Sequence, residues 1–320
     1  MSEPGTGYGP PDASGAPRYT GVRTFARCPH VRDLAGVDVA AVGIPFDTAT
    51  SFRPGARFGP EAIRSASALL RPWHGVLEVD VFAGRSVVDY GDLDVTPGNA
   101  SRTADQIAAG LEPLVAAGVV PIVLGGDHSI ALGELRAHAA VAGAPVAVVL
   151  LDAHADTWDA YYGERLFHGT VFRRAVEEGL VAADRSVLAG MRGPLYEAAD
   201  LGAARELGFD VIPDAELRSL GPDGFGSRVR ARVGEGPAVL GFDVDVVDPA
   251  FAPATGTPEV GGLSSREAIA FVRSLAGVRF GGFDVVELSP PYDGPGQATA
   301  LLAANVAWEF LALSALSGSR

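Results

Sequence analysis

Three short segments of this 320-residue chain concentrate aspartate and histidine at spacings that suit a pair of divalent cations. They are Gly-Gly-Asp-His-Ser at 125–129, Asp-Ala-His-Ala-Asp at 152–156, and Asp-Val-Asp-Val-Val-Asp-Pro at 243–249. In an extended segment, side chains at i, i+2 and i+4 share a side. This predicts that Asp152, His154 and Asp156 face one way, and that Asp243 and Asp245 do the same. With His128, the set is four carboxylates and two imidazoles. Four aspartates crowded together repel one another and resist desolvation, and two divalent cations would balance their charge. Oxygen-rich ligation with some imidazole suits Mn²⁺ better than a structural zinc site, which favours thiolate. Cys28 is the only cysteine, so a thiolate cage is excluded. Two metals about 3.5–4 Å apart can hold a water between them as a nucleophile at neutral pH. A single Asp-His pair or a lone D-x-D more often caps a turn; three such segments in one chain are what carry the reading. His30, His74 and His138 have no such setting and read as ordinary surface or core residues.

The elements that must position these groups are legible upstream of each segment. The runs 119–124, 146–151 and 238–242 are short, apolar and rich in valine, isoleucine and leucine. Such runs suit strands buried on both faces of a parallel sheet. In open α/β sheets ligands gather at the carboxyl ends of the strands, which is where all three segments fall. Along the rest of the chain, strands are predicted over 37–44, 185–190, 209–212 and 279–286. Helices are predicted from Gly59-Pro60, over 102–117, 130–141, 169–179, 223–233 and 264–276, and at 298–316. Strands alternating with helices mean a mostly parallel sheet covered on both faces, an α/β fold. Residues 1–20, rich in glycine and proline and without an apolar core, read as a flexible segment; 21–320 read as one domain.

At these residues the chain resembles the ureohydrolase family, which includes arginases, agmatinases and guanidino-acid hydrolases. The resemblance runs from about Val37 to Phe310. Besides the three segments it includes Arg-Pro-Gly-Ala-Arg-Phe-Gly-Pro at 53–60, Ala-Pro-Ala-Thr-Gly-Thr-Pro at 252–258 and Val-Glu-Leu-Ser-Pro at 286–290. It implies the three-layer arginase-like fold, two Mn²⁺ per subunit, a small guanidino substrate and a homotrimer or homohexamer. One Mn²⁺ would be held by His128, Asp152, Asp156 and Asp243, the other by Asp152, His154, Asp243 and Asp245. A hydroxide bridging them would attack the guanidinium carbon, giving urea and an amine. The resemblance makes His168, Glu287 and Asp156 catalytic: His168 carries a proton to the leaving amine, and Glu287 pairs with the guanidinium, whose planar fork matches a carboxylate. The chain departs from the family at Ala254, where a glycine is usual. If that position needs positive φ, alanine strains the loop by about 1 kcal/mol.

The substrate's far end is the open point. The loop after Asp156 reads Thr-Trp-Asp-Ala-Tyr-Tyr-Gly-Glu and lacks the Asn and Ser pattern of arginases. Gly190 to Pro194 likewise lack the acidic pair that arginases carry there. The resemblance is therefore to the branch that holds agmatinase, guanidinobutyrase and proclavaminate amidinohydrolase. Trp158, Tyr161 and Tyr162 could stack on a cationic tail, whereas Arg192 could pair with a carboxylate tail. The reading is a hydrolase acting on C–N bonds of a linear guanidino compound, agmatine-like or a guanidino acid. Two rivals are a metal-dependent deacetylase of related fold, expected to have fewer aspartates, and a catalytically silent assembly subunit, expected to have lost a ligand.

A net charge of −14 argues against a nucleic-acid partner, which calls for a basic face. All 25 basic residues are arginine, so lysine Schiff-base chemistry is excluded. One cysteine and no visible signal peptide suit a cytoplasmic protein. The apolar run 298–316 contains Asn305 and Glu309 and reads as a buried or interface helix, not a membrane span.

Overall fold

The computed structural model describes residues 7–12, 14, 15, 17–197 and 199–317. Strands and helices alternate through most of the chain: β1 (Val39–Ile44), α1 (Gly59–Ser67), a short hairpin of β2 (Trp73–His74) and β3 (Val79–Asp80), β4 (Val87–Asp92), α2 (Ala100–Ala116), β5 (Val120–Gly125), α3 (Ala131–Ala142), β6 (Ala147–Leu151), α4 (Val171–Glu177), β7 (Val187–Met191), α5 (Asp200–Glu206), β8 (Asp210–Pro213), α6 (Asp214–Val233), β9 (Ala238–Asp243), α7 (Ser265–Arg273), β10 (Phe280–Val286) and α8 (Ala298–Leu316). Eight strands form one parallel sheet in the order β4-β1-β5-β10-β9-β6-β7-β8. The expected parallel α/β sheet is what the chain forms.

The order explains where a site must lie. From β5 the chain crosses to β6, and β10 and β9 later fill the gap between them. The carboxyl ends of β5, β10, β9 and β6 are thus side by side at the point where the winding changes direction, the place where open α/β sheets bind ligands. These four strands are buried almost throughout, which the valine- and leucine-rich runs require.

Both faces of the sheet are covered. On one, Ile63 of α1, Phe225 of α6, Phe271 of α7 and Phe310 of α8 share a core with Phe242 and Phe283; Phe283 and Phe310 stack at 4.8 Å. On the other, Ile107, Leu111 and Leu114 of α2 pack with Val42, Ile44 and Val123, and Leu132 and Leu135 of α3 pack with Val148 and Leu150. By length and composition α8 is long and apolar enough to cross a membrane, but most of it is buried within the fold. Its Glu309 is buried against His74 (2.8 Å) and Arg273 (2.6 Å), which compensates the charge.

Four elements were not read from the sequence: β4, the hairpin, α5 and the first half of α6. The last was missed because Gly221-Pro222 reads as a stop. The helix instead runs on both sides of a kink, where Gly221 takes φ 62°. Of the segment 1–20 expected to be flexible, residues 1–6, 13 and 16 lie outside the described residues. Within the rest, Tyr8 exchanges bonds with the start of β4: its N–H donates to Ser86 Oγ (3.0 Å) and its carbonyl accepts from Val87 N–H (2.9 Å).

Candidate metal centre

Each of the four central strands hands over its polar residues through a tight turn. After β5, Gly126 lies so close to the Phe46 carbonyl that a Cβ would collide with it, which explains the double glycine. Asp127 then caps the turn, accepting from Ser129 N–H (3.0 Å) and from Ala49 N–H (2.9 Å), and so presents His128. After β9, Asp243 accepts from Asp245 N–H (2.8 Å) across a single 3₁₀ turn. After β6, Asp152 accepts from His154 N–H (2.6 Å), and Asp156 takes φ 51°. The structure brings the residues of the i, i+2, i+4 argument together, but not by the expected extended geometry. Extended geometry ends at Leu151 and Asp243, and loop bonds do the converging.

The outcome is two clusters that could each hold a metal ion: His128 with Asp152 and Asp156, and Asp152 with His154 and Asp245. His128 Nδ1 lies 2.8 Å from Asp156 Oδ2, 3.1 Å from Asp152 Oδ2 and 3.7 Å from Asp243 Oδ2. His154 Nδ1 lies 2.9 Å from Asp245 Oδ2 and 3.5 Å from Asp152 Oδ1. Asp152 belongs to both clusters, and Asp243 stands beside the first. Although they lie this close to neighbouring polar atoms, His128 Nδ1, Asp152 Oδ2 and Asp245 Oδ2 are buried and make no aligned hydrogen bond among the described residues. Buried polar atoms without partners are costly unless an ion or water meets them. This donor set, oxygen-rich with two imidazoles and no sulfur, fits hard or borderline divalent cations.

The electrostatics agree. Burial, then the charges of Asp245, Asp152 and Glu287, hold the Asp243 carboxyl well above its ordinary range. Burial and Asp152 push Asp156 up to about 6. Burial would depress His128 and His154, but the surrounding carboxylates hold both imidazoles well above their ordinary value. The side chains thus crowd negative charge here, which divalent cations would offset.

Beside the clusters, Glu287 takes φ 62°, a sparsely populated conformation for a residue with a side chain and one that recurs at functional sites. Its Oε1 accepts from His128 N–H (2.9 Å) and lies 3.0 Å from His168 Nδ1; its Oε2 is buried and unpartnered. His168 Nε2 is 2.7 Å from Ser51 Oγ, a hydroxyl that can give or take a proton. Burial lowers the His168 pKa, but Glu287, with Asp156 and Asp127 behind it, more than offsets this and holds the ring up at about 9. Ser51 and Asp127 were not singled out from sequence. Asp127 had a usable signal, its place before a turn; Ser51 had none.

Above this floor opens a cleft of about 560 Å³ walled by Phe52, Trp158, Tyr161, Leu195 and Tyr196. Trp158 meets the edges of Tyr161 (5.3 Å) and Tyr196 (5.5 Å). Tyr162 does not line the cleft; it stands exposed, with its hydroxyl 3.5 Å from the Ser51 carbonyl. Arg192 is the clearest correction. Its guanidinium donates to the carbonyls of Asp245 (2.6 Å), Glu259 (2.7 Å), Val246 (3.0 Å) and Val260 (3.3 Å). Four of its five donors are spent on main chain, so it ties the Asp245 turn to the 259–260 loop and is not poised for a substrate carboxylate. The cleft also contains two charged residues that sequence reasoning passed over, Arg53 and Glu259.

Comparison with known proteins gives the same picture. The model of the arginase family matches residues 37–313. The guanidinopropionase of Pseudomonas aeruginosa is 43% identical over 97% of this chain and 97% of its own length. The mitochondrial agmatinase of Gallus gallus is 42% identical over 94% of this chain and 88% of its own. Among solved structures, proclavaminate amidino hydrolase from Streptomyces clavuligerus superposes with a TM-score of 0.88 at 41% identity, covering 95% of this chain and all of that one.

Proposed function

The chain belongs to the arginase family, and on that premise we propose that it is a dinuclear manganese amidinohydrolase that cleaves a linear guanidino compound to urea and an amine. The observation that carries this reading is the pair of His/Asp clusters sharing Asp152, beside a buried carboxylate oxygen of Glu287 that no described residue uses. His128, Asp152, Asp156 and Asp243 would hold one cation, and Asp152, His154, Asp243 and Asp245 the other. When bound, such a pair lowers the pKa of water enough to make it a nucleophile at neutral pH.

The protein's own groups do the rest. Glu287 Oε2 accepts from the substrate guanidinium, orienting its carbon toward the metals. Glu287 Oε1 holds His168 from the other side. Adding water to that carbon and breaking the C–N bond to the chain leaves a nitrogen that needs one proton. His168, held at Nδ1 by Glu287 and at Nε2 by Ser51, is the group that would supply it.

A homotrimer or homohexamer is proposed with this reading; the exposed Leu69, Trp73 and Val76 around the β2–β3 hairpin offer apolar surface for contacts between copies. The test is urea release by Mn²⁺-loaded protein from agmatine, 4-guanidinobutyrate, 3-guanidinopropionate, guanidine and arginine, with the bound metal counted. Urea from a linear compound and none from arginine is expected. No urea from any of the five overturns the proposal.

A further inference from the structure

The cleft holds two charged side chains that belong neither to the metal clusters nor to the His168 pair, and they would select opposite substrates. Glu259 would attract an ammonium tail and Arg53 a carboxylate tail. Their surroundings separate them. Glu259 stands at the metal end: Oε1 lies 3.8 Å from His154 Nε2, and its carboxylate fills the space above Gly193, where a Cβ would strike it. Arg53 has no carboxylate within ion-pair distance among the described residues. Its guanidinium rests over the rings of Phe52 (5.3 Å) and Tyr292 (5.2 Å), contacts that orient a cation without neutralising it. Four residues on, the other arginine of the same segment is used up: Arg57 Nε donates to the buried Asp47 at 2.5 Å.

The segment that carries Arg53 also fixes how far it stands from the reacting centre. The Arg53 carbonyl, Thr50 Oγ1 and Glu287 Oε2 all border one point beside Gly256, at 3.2, 3.3 and 3.1 Å from where its Cβ would lie. Ser51, which holds His168, is two residues before Arg53, a separation of at most ~7 Å along the chain. The 50–53 segment therefore passes alongside the guanidinium-binding carboxylate, and Arg53 is one of the residues that line the cleft above it. The two or three methylenes of 3-guanidinopropionate and 4-guanidinobutyrate cover a span on the order of 4–5 Å, and Phe52, Trp158 and Tyr161 give that stretch apolar walls.

We propose that Arg53 is the residue that reads the far end of the substrate, and that this end is a carboxylate: Glu287 grips the guanidinium, the aromatic wall covers the methylenes, and Arg53 forms a forked pair with the acid. This rests on the amidinohydrolase reading above. It moves the role first considered for Arg192 to an arginine whose guanidinium has no carboxylate partner among the described residues.

The test measures kcat/KM of Mn²⁺-loaded wild type, R53M, R53K and E259Q with 4-guanidinobutyrate, 3-guanidinopropionate and agmatine. In parallel, binding of the products 4-aminobutyrate, 3-aminopropionate and putrescine is followed by calorimetry. Wild type is expected to favour a guanidino acid over agmatine. R53M should lower the acid-to-agmatine ratio roughly 10- to 100-fold, mainly through KM, and weaken binding of the amino acids by a similar factor. R53K, which keeps the charge but not the fork, should fall between, and it answers the question if R53M does not fold. Equal losses for acid and agmatine in R53M, or in R53K should R53M not fold, overturn the assignment. So does a wild type that favours agmatine, with that preference lost in E259Q, which would make Glu259 the reader of an ammonium. Urea from agmatine alone sinks only the tail assignment, whereas no urea from any compound sinks the amidinohydrolase reading and this inference with it.

Discussion

The floor of the cleft and its outer wall are built on opposite plans. The floor hangs from four adjacent parallel strands; Asp152, Asp243, Asp245, His128 and Glu287 are all buried there, and Asp127, Asp243 and Asp152 each brace a turn through their own side chains. The wall is made of loops. Phe52 is 67% exposed and Tyr196 is 79% exposed. Within the wall, Trp158 meets Tyr161 and Tyr196 edge-on. A floor of that kind can do one reaction, because moving any strand end moves several ligands. A wall of that kind can change its tail preference without disturbing the reaction, which is why loops on a rigid scaffold carry specificity.

The contrast breaks most visibly at Asp152, the residue shared by both clusters. D152N should abolish urea release and take both metals away, as counted by mass spectrometry of the dialysed protein; two retained metals would contradict its shared role. Chelation of the wild type should also lower the melting temperature, because a ligand present at a hundred times its dissociation constant contributes about 2.7 kcal/mol. The next largest effect belongs to His168. H168N should reduce kcat by about 10²- to 10⁴-fold while leaving the metal content intact. Its pKa is raised, to about 9 against an ordinary value of 6.5. Stability from the His168–Glu287 pair is thus complete below pH 6.5 and is lost as pH rises through about 9. Denaturant titrations of wild type and H168N at pH 6 and pH 9.5 should show the stability gap closing at the higher pH. A gap that stays constant would mean the imidazole is neutral throughout.

The same contrast governs how much the sequence disclosed. Floor residues are legible because strand runs and sheet rules place their ends together, and because Asp and His in such numbers have few other uses. Glu287 and His168 needed the family resemblance, since one acid after a strand and one histidine before a helix carry no signal of their own. Wall residues are harder because loop geometry decides them. Nothing in the sequence distinguishes Arg192, whose guanidinium is consumed by four carbonyls, from Arg53, whose guanidinium is not. Nor does the sequence show that Trp158 and Tyr161 line the cleft while Tyr162 turns away. Helix α6 shows the same limit in the fold: Gly221-Pro222 reads as a break, yet packing of Leu217 on one side and Phe225 on the other keeps both halves in one element.

Arg192 sharpens the comparison because it lies outside the cleft lining yet serves the floor, through the carbonyls of Asp245 and Val246. R192A should free the carbonyls of Asp245 and Val246 and loosen the turn that presents Asp245. The expected cost is about 1–3 kcal/mol of stability, with kcat/KM falling by the same factor for agmatine and for guanidino acids. A loss confined to the acids would show that Arg192 belongs functionally to the wall and would restore it as the reader of a carboxylate.

The smallest effect tests whether the floor tolerates a departure from the family pattern at Ala254. Strain at that position would require positive φ, and Ala254 is not among the described non-glycine residues that adopt it. Its methyl is fully buried, its N–H donates to Thr299 Oγ1 (3.1 Å), and its carbonyl accepts from Ser289 N–H (2.9 Å), two residues beyond Glu287. Alanine is therefore at ease here and a glycine would be the poorer residue. A254G removes a buried methyl group and gives the unfolded chain more freedom, so it should destabilise by about 1 kcal/mol. That is a drop in melting temperature of about 2 °C for a chain of this size, with urea release unchanged within about twofold. A rise in melting temperature on A254G would reveal strain in the loop that braces Glu287, and would place the departure from the family pattern in the site's mechanics instead of in its packing.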